Sequence, residues 1–158
     1  MMARTKVLTL FIAFVLLTAM PVIACTLPPN ANGLTQQFLH QINAERVRFG
    51  LQRFEMSSKL QEVAMLHACD NARQNRLSHF GTDGSSPGAR VFRAGYRFDI
   101  VTENVAIGYR TPAEVLKAWL SSSSHRKNIL EPRTNELGLA VALGRDGRRH
   151  WVMNGGRR

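Results

Sequence analysis

The chain has 158 residues, 21 of them Lys or Arg against 11 Asp or Glu, and a net charge of +10. That length holds one ordinary domain and hardly two. The charge directs the chain toward anionic partners, but no basic helix and no aromatic-studded stacking surface accompanies it, and together with the export signal described next this excludes nucleic acid.

Residues 1–24 read as a secretory signal. Arg4 and Lys6 supply the positive start, Val7 to Leu17 form an unbroken apolar run, and Val22-Ile23-Ala24 offers small residues for cleavage before Cys25. The apolar run is short for a retained anchor, since a spanning helix needs roughly 20 apolar residues. Without these residues, which carry two cations and no acid, nineteen basic residues face the same eleven acidic ones, a net of +8. Val22-Ile23-Ala24-Cys25 also resembles a lipobox, which would make Cys25 a lipidated N-terminus and tie the domain to a membrane. The other use of Cys25 is a disulfide with Cys69, the only other cysteine, in an oxidising space. The two exclude one another, and a lone Cys69 thiol would be awkward after export, which favours the disulfide.

Residues 25–33 form a Pro/Asn/Gly leader, and 34–158 the domain. Leu34, Phe38, Ile42 and Phe49 line one face of an expected helix over 34–50, with Gly50 as its stop. Ser58 and Gln61 suggest a capping box for a second helix over 59–76. Its stripe is Leu60, Val63, Ala64, His67, Ala68 and Ala72, and His67 is read as a core histidine bonded to backbone. SHFGTDGSSPG (78–88) is a loop, and 88–96 a short helix ended by Gly95. A further loop leads into a strand over 104–109. Thr111, Pro112 and Glu114 mark the start of the helix TPAEVLKAWL, which buries Val115, Leu116, Trp119 and Leu120. Ser124 is the expected cap of a turn over 125–130. Strands over 135–144 and 148–155 close the chain, joined by a turn with Asp146-Gly147 as the hairpin signal. The pattern is α+β, a sheet covered by helices, with strand order open.

Three polar residues sit where loops meet ordered elements: His79, Glu103 and His125. Two histidines and a glutamate can hold a divalent cation with an open position. The spacing carries no metal signature, neither HExxH nor CxxC, so three unrelated loop residues remain the plainer account. Ser78 and Ser121 to Ser124 precede these histidines, but no GxSxG elbow is present, and serines here are more simply caps and turn formers. Cys69 lies mid-helix, a weak nucleophile candidate.

SHFGTDGSSPGARVFRAGY, TENVAIGY, AWLSSSSHRKNIL and NELGLAVA, in this order, resemble the bacterial branch of the CAP superfamily, the cysteine-rich secretory, antigen 5 and pathogenesis-related proteins. INAERVRFGLQRF and KLQEVAMLHACDNA fit its first two helices, so the resemblance runs from about residue 34 to 154. It implies a three-layer α-β-α sandwich with a central antiparallel sheet, and a shallow cleft of two histidines and two acids that in some members binds zinc or another divalent cation. Carried over, the cleft residues are His79, Glu103 and His125. The second acid would fall just after Trp119, where this chain has Leu120, Ser121 and Ser122, and Asp83 is the nearest substitute. The chain ends WVMNGGRR instead of the family's aromatic-acidic-Phe-Gly tail, which predicts an early end to the last strand with Arg157 and Arg158 loose.

The resemblance does not select a reaction. The leading expectation is an extracytoplasmic domain, secreted or periplasmic, that binds an anionic lipid or a cell-wall glycan through the His79–Glu103–His125 cleft, with membrane association only if Cys25 is lipidated. The alternatives are a metal-dependent hydrolase of peptide or glycan bonds with Glu103 as base, and a structural interaction module.

Overall fold

The computed structural model describes residues 25–158, so the signal segment and its cleavage site lie outside the described residues. Helix α1 (Ala31–Arg48) begins three residues before the expected start and ends ahead of Gly50, whose φ of +70° favours glycine. Phe38 and Ile42 are buried on it, whereas Phe49 is its C-cap residue and is exposed. The two-residue strand β1 (Glu55–Met56) had no sequence signal. Helix α2 (Ser58–Gln74) buries the whole stripe named above. Its N-cap is Ser57, with no side-chain capping bond, and Gln61 accepts from the Leu139 amide at 3.1 Å. The expected Ser58–Gln61 box therefore does not form, because the Gln61 amide is drawn to the adjacent strand.

Helix α3 (Pro87–Arg93) is capped by Ser86. Strand β2 (Ile100–Ile107) starts four residues earlier than expected and includes Glu103, because pairing with the last strand carries it out to Ile100. Helix α4 (Pro112–Ser121) is capped by the Thr111 hydroxyl, and Glu114 accepts from the Arg110 amide at 2.7 Å. Helix α5 (Ser123–Ile129) follows after Ser122 alone, so the serine run belongs to helix ends, and Ser122 rather than Ser124 is the N-cap. Strands β3 (Glu136–Leu143) and β4 (Arg149–Arg157) form the expected hairpin, with Gly147 at φ +76° in its turn. β4 does not end early. It is held between β2 and β3 as far as Arg157 and Gly156, and Arg158 reaches the Glu136 carboxylate at 3.4 Å.

The sheet order is β1-β3-β4-β2, antiparallel except for β1 beside β3. Helices α1, α4 and α5 cover one face, α2 and α3 the other, which makes the three-layer α-β-α sandwich. The two faces are packed differently. Leu137, Leu139, Val141, Trp151 and Met153 face α1 and α4, where Phe38 stacks on Trp119 at 5.2 Å and meets Trp151 edge-on at 5.7 Å. On the other face Ala140 and Ala142 meet Ala64, Ala68 and Ala72 of α2. A Cβ on Gly138 would overlap the Leu60 backbone, so α2 lies unusually close to the sheet. That close approach brings His67 and Asp70 to the edge where the loop after α2 turns back. Cys69 of α2 is bonded to Cys25 across 44 residues, and Leu143 donates to the Thr26 carbonyl at 2.8 Å, fixing the start of the domain against the sheet. Among the described residues no helix is long and apolar enough to cross a membrane.

Candidate functional site

Glu103 and Asn104 are consecutive on β2 and therefore point to opposite faces of the sheet. Each holds one of the two histidines. On the α2 side the Glu103 carboxylate is 1% exposed. Its Oε2 accepts from Arg90 Nη2 at 2.6 Å, and its Oε1 accepts from His79 Nδ1 at 2.9 Å. Because a carboxylate can only accept here, His79 carries its proton on Nδ1 and leaves the Nε2 lone pair free. The His79 side chain is 46% exposed, so the free nitrogen belongs to an accessible, oriented ring. Arg90 also donates to the carbonyls of His79 at 3.0 Å and Ser85 at 2.7 Å. It thus ties the backbone of His79 and the acid that fixes its ring to the same guanidinium.

His67 closes this network from below. Its Nε2 donates to the Ser78 carbonyl at 2.8 Å and lies 3.8 Å from Glu103 Oε1. Burial pushes its pKa below the ordinary histidine value despite the nearby Glu103 carboxylate, so it stays neutral and fully buried. Asp70 anchors the loop itself, accepting from the Thr82 amide at 2.9 Å and its hydroxyl at 2.7 Å, with Arg76 at 3.3 Å.

On the other face Asn104 donates to the His125 carbonyl at 3.0 Å and accepts from Asn128 at 2.8 Å. Asn128 donates again to the Glu103 carbonyl at 2.9 Å. The His125 backbone is therefore fixed while its ring, 6.4 Å from Trp119, takes no side-chain partner among the described residues. Burial, and next the electrostatic influence of His79, lower its pKa. The segment after α5 is fastened by buried Arg46, which donates to the carbonyls of Ile129, Glu131 and Thr134. Burial draws its pKa down to about 10.

His79 and Glu103 are thus joined, and His125 is tied by its backbone to the neighbouring Asn104. Asp83 joins neither: its carboxylate accepts from Ser85 and from Arg93 at 2.9 Å, and it lines a different cavity. Among the described residues no three His, Cys, Asp or Glu side chains converge as ligands of one ion. Both Glu103 oxygens already serve His79 and Arg90, so a direct His79–Glu103–His125 ligand set does not fit. The donors that do remain are two imidazoles backed by an outer carboxylate. Sequence reasoning missed Arg90, Asn104 and Asn128. All three lie inside the motif stretches SPGARVF, TENVA and HRKN, but a helix arginine and two asparagines read as surface residues until their distant partners are known.

A family model described as "Cysteine-rich secretory protein family" (CAP) matches residues 39–154. Among curated proteins, YkwD of Bacillus subtilis is 31% identical over 112 residues, 71% of this chain and 44% of that protein. Across the curated relatives matched, the chain spans between 31% and 59% of their length. Among solved structures, an outer surface protein of Borrelia burgdorferi superposes with a TM-score of 0.75 at 23% identity, over 80% of this chain and 93% of that one. An extracellular protein containing an SCP domain from Bacillus anthracis gives 0.72 at 27% identity, over 85% and 45%.

Proposed function

The chain belongs to the cysteine-rich secretory protein family, and from that premise we propose that it is an extracytoplasmic binding domain that holds an envelope or extracellular ligand, lipid or glycan, between His79 and His125. The observation that carries this reading is the state of Glu103. A hydrolytic base must reach a water or a substrate proton, whereas this carboxylate is almost fully buried and spent on Arg90 and His79. It serves to orient an imidazole. The exposed product of that arrangement is a fixed acceptor nitrogen on His79, which suits groups that donate a hydroxyl hydrogen, such as those of glycans and lipid headgroups. The net positive charge assists anionic versions of either ligand. Placement outside the cytoplasm is supported by the Cys25–Cys69 bond and by relatives described as outer-surface or extracellular. A divalent cation such as zinc would rest on His79 and His125 with Glu103 outside its ligands, and would supply positive charge to the ligand.

The test follows the histidine ring signals by NMR while purified protein is titrated with zinc, with anionic lipid vesicles and with soluble cell-wall glycan fragments. Saturable shifts of both rings with at least one titrant, weakened about tenfold or more by His79→Ala or His125→Ala at unchanged Tm, are expected. Three outcomes overturn the reading: silence with every titrant, a lowered Tm in both variants with no ligand detected (a structural role), or turnover of peptide or glycan bonds that Glu103→Gln abolishes.

A further inference from the structure

A concavity lies between α2 and the loop over 81–85, and neither His79 nor His125 lines it. It has a volume of about 570 Å³, within the range of small-molecule sites. Its walls are the Cys25–Cys69 bond, Val63 and Leu66 of α2, and Ala94 after α3, with the loop over 81–85 opposite. Leu66 is 62% exposed in the middle of a helix whose other apolar residues are buried or, in Met65, partly buried. An apolar wall left open in this way is the signature of a surface that gains from being covered.

Its charges decide what can cover it. Three arginines line the cavity, and each already has a carboxylate: Arg73 on Asp70 at 3.4 Å, Arg93 on Asp83 at 2.9 Å, and Arg90 on Glu103 at 2.6 Å. His67 at the inner wall is neutral, its pKa lowered by burial. Glu62 on the rim forms no salt bridge among the described residues. Each wall arginine is thus paired with a carboxylate and Glu62 adds an unpaired negative charge, so the cavity does not share the strong positive charge of the chain as a whole. We propose that this cavity is a separate ligand site for an uncharged apolar molecule, selecting against anionic ones. This does not rest on the His79–His125 reading, because none of the apolar wall belongs to that cleft.

The experiment compares two fluorescent probes on the purified protein: neutral N-phenylnaphthylamine and anionic anilinonaphthalenesulfonate. Saturable binding of the neutral probe, about tenfold tighter than the anionic one, is expected. Leu66→Gln, at an exposed position that leaves the fold intact, weakens the neutral probe about tenfold by removing the apolar wall. Phe92→Gln, at an exposed apolar residue of α3 outside the cavity, leaves it unchanged. Equal or tighter binding of the anionic probe overturns the ligand class. Insensitivity to Leu66→Gln, or an equal loss in Phe92→Gln, overturns the site.

Discussion

His79 and His125, the two histidines of the proposed site, are held by opposite means. His79 is gripped by its ring: Glu103 fixes the tautomer, Arg90 fixes Glu103, and the same arginine fixes the backbone. His125 is gripped by its backbone, through Asn104 and Asn128, while its ring takes no hydrogen-bond partner among the described residues. Both grips leave from adjacent residues of one strand, on opposite faces. The difference separates two tasks. A ring set by a buried ion pair keeps one donor direction under all conditions, whereas a ring set only through its main chain can turn to meet a ligand. It also predicts unequal energetic stakes, since an ion pair in the interior costs more to break than an amide hydrogen bond.

The largest break in this comparison comes from Glu103→Ala. It strands the Arg90 guanidinium and frees the His79 ring. A loss of about 3–5 kcal/mol in unfolding free energy is expected, together with loss of the single Nδ1-protonated form of His79 in nitrogen NMR spectra. Unchanged denaturation would mean that the pair does not hold the site. A smaller effect follows from Asn104→Ala, which leaves the His125 carbonyl and Asn128 short of partners. About 1–3 kcal/mol is expected, with His125 signals displaced and the His79 tautomer intact. Displacement of both rings alike would erase the separation of tasks.

The smallest effect is one of pH. The pKa values of His67, His125 and His150 are each lowered by burial, so below the ordinary histidine value of about 6.5 the unfolded chain takes up protons that the folded chain refuses. Stability is therefore complete above that pH and falls as pH drops through it. His125→Gln removes only its own share, making the decline between about pH 6.5 and 5 shallower. A steeper decline would show that the His125 pKa is raised by folding.

The asymmetry also explains what could be foreseen. The α2 stripe, the Thr111 cap and the Asp-Gly turn are local signals, and each holds in the structure. The start of β2 was not legible. Its polar residues Glu103 and Asn104 interrupt the apolar alternation, yet both are buried, because Arg90, His79, His125 and Asn128 meet them from distant segments. Phe49 failed in the reverse sense: it carries the helical spacing of α1 but falls at the cap, outside the core, with the Arg126 guanidinium 4.8 Å from its ring. The serine run reads as a cap and turn, and it is one, with the cap at Ser122 instead of Ser124, since a single non-helical residue is enough to turn α4 into α5.

By itself the sequence determined the helices with strong periodicity, the terminal hairpin, the family, and the residue types available to the cleft. These follow from spacing and from short motifs, which act within a few residues of chain. Only the tertiary structure decided that Glu103 is buried against Arg90 and His79, that Asp83 is engaged by Ser85 and Arg93, and that Arg90 joins the His79–Glu103 network. Burial and ion pairing depend on segments that meet through the sheet, and a carboxylate's chemistry is set by what surrounds it, not by its place in the chain.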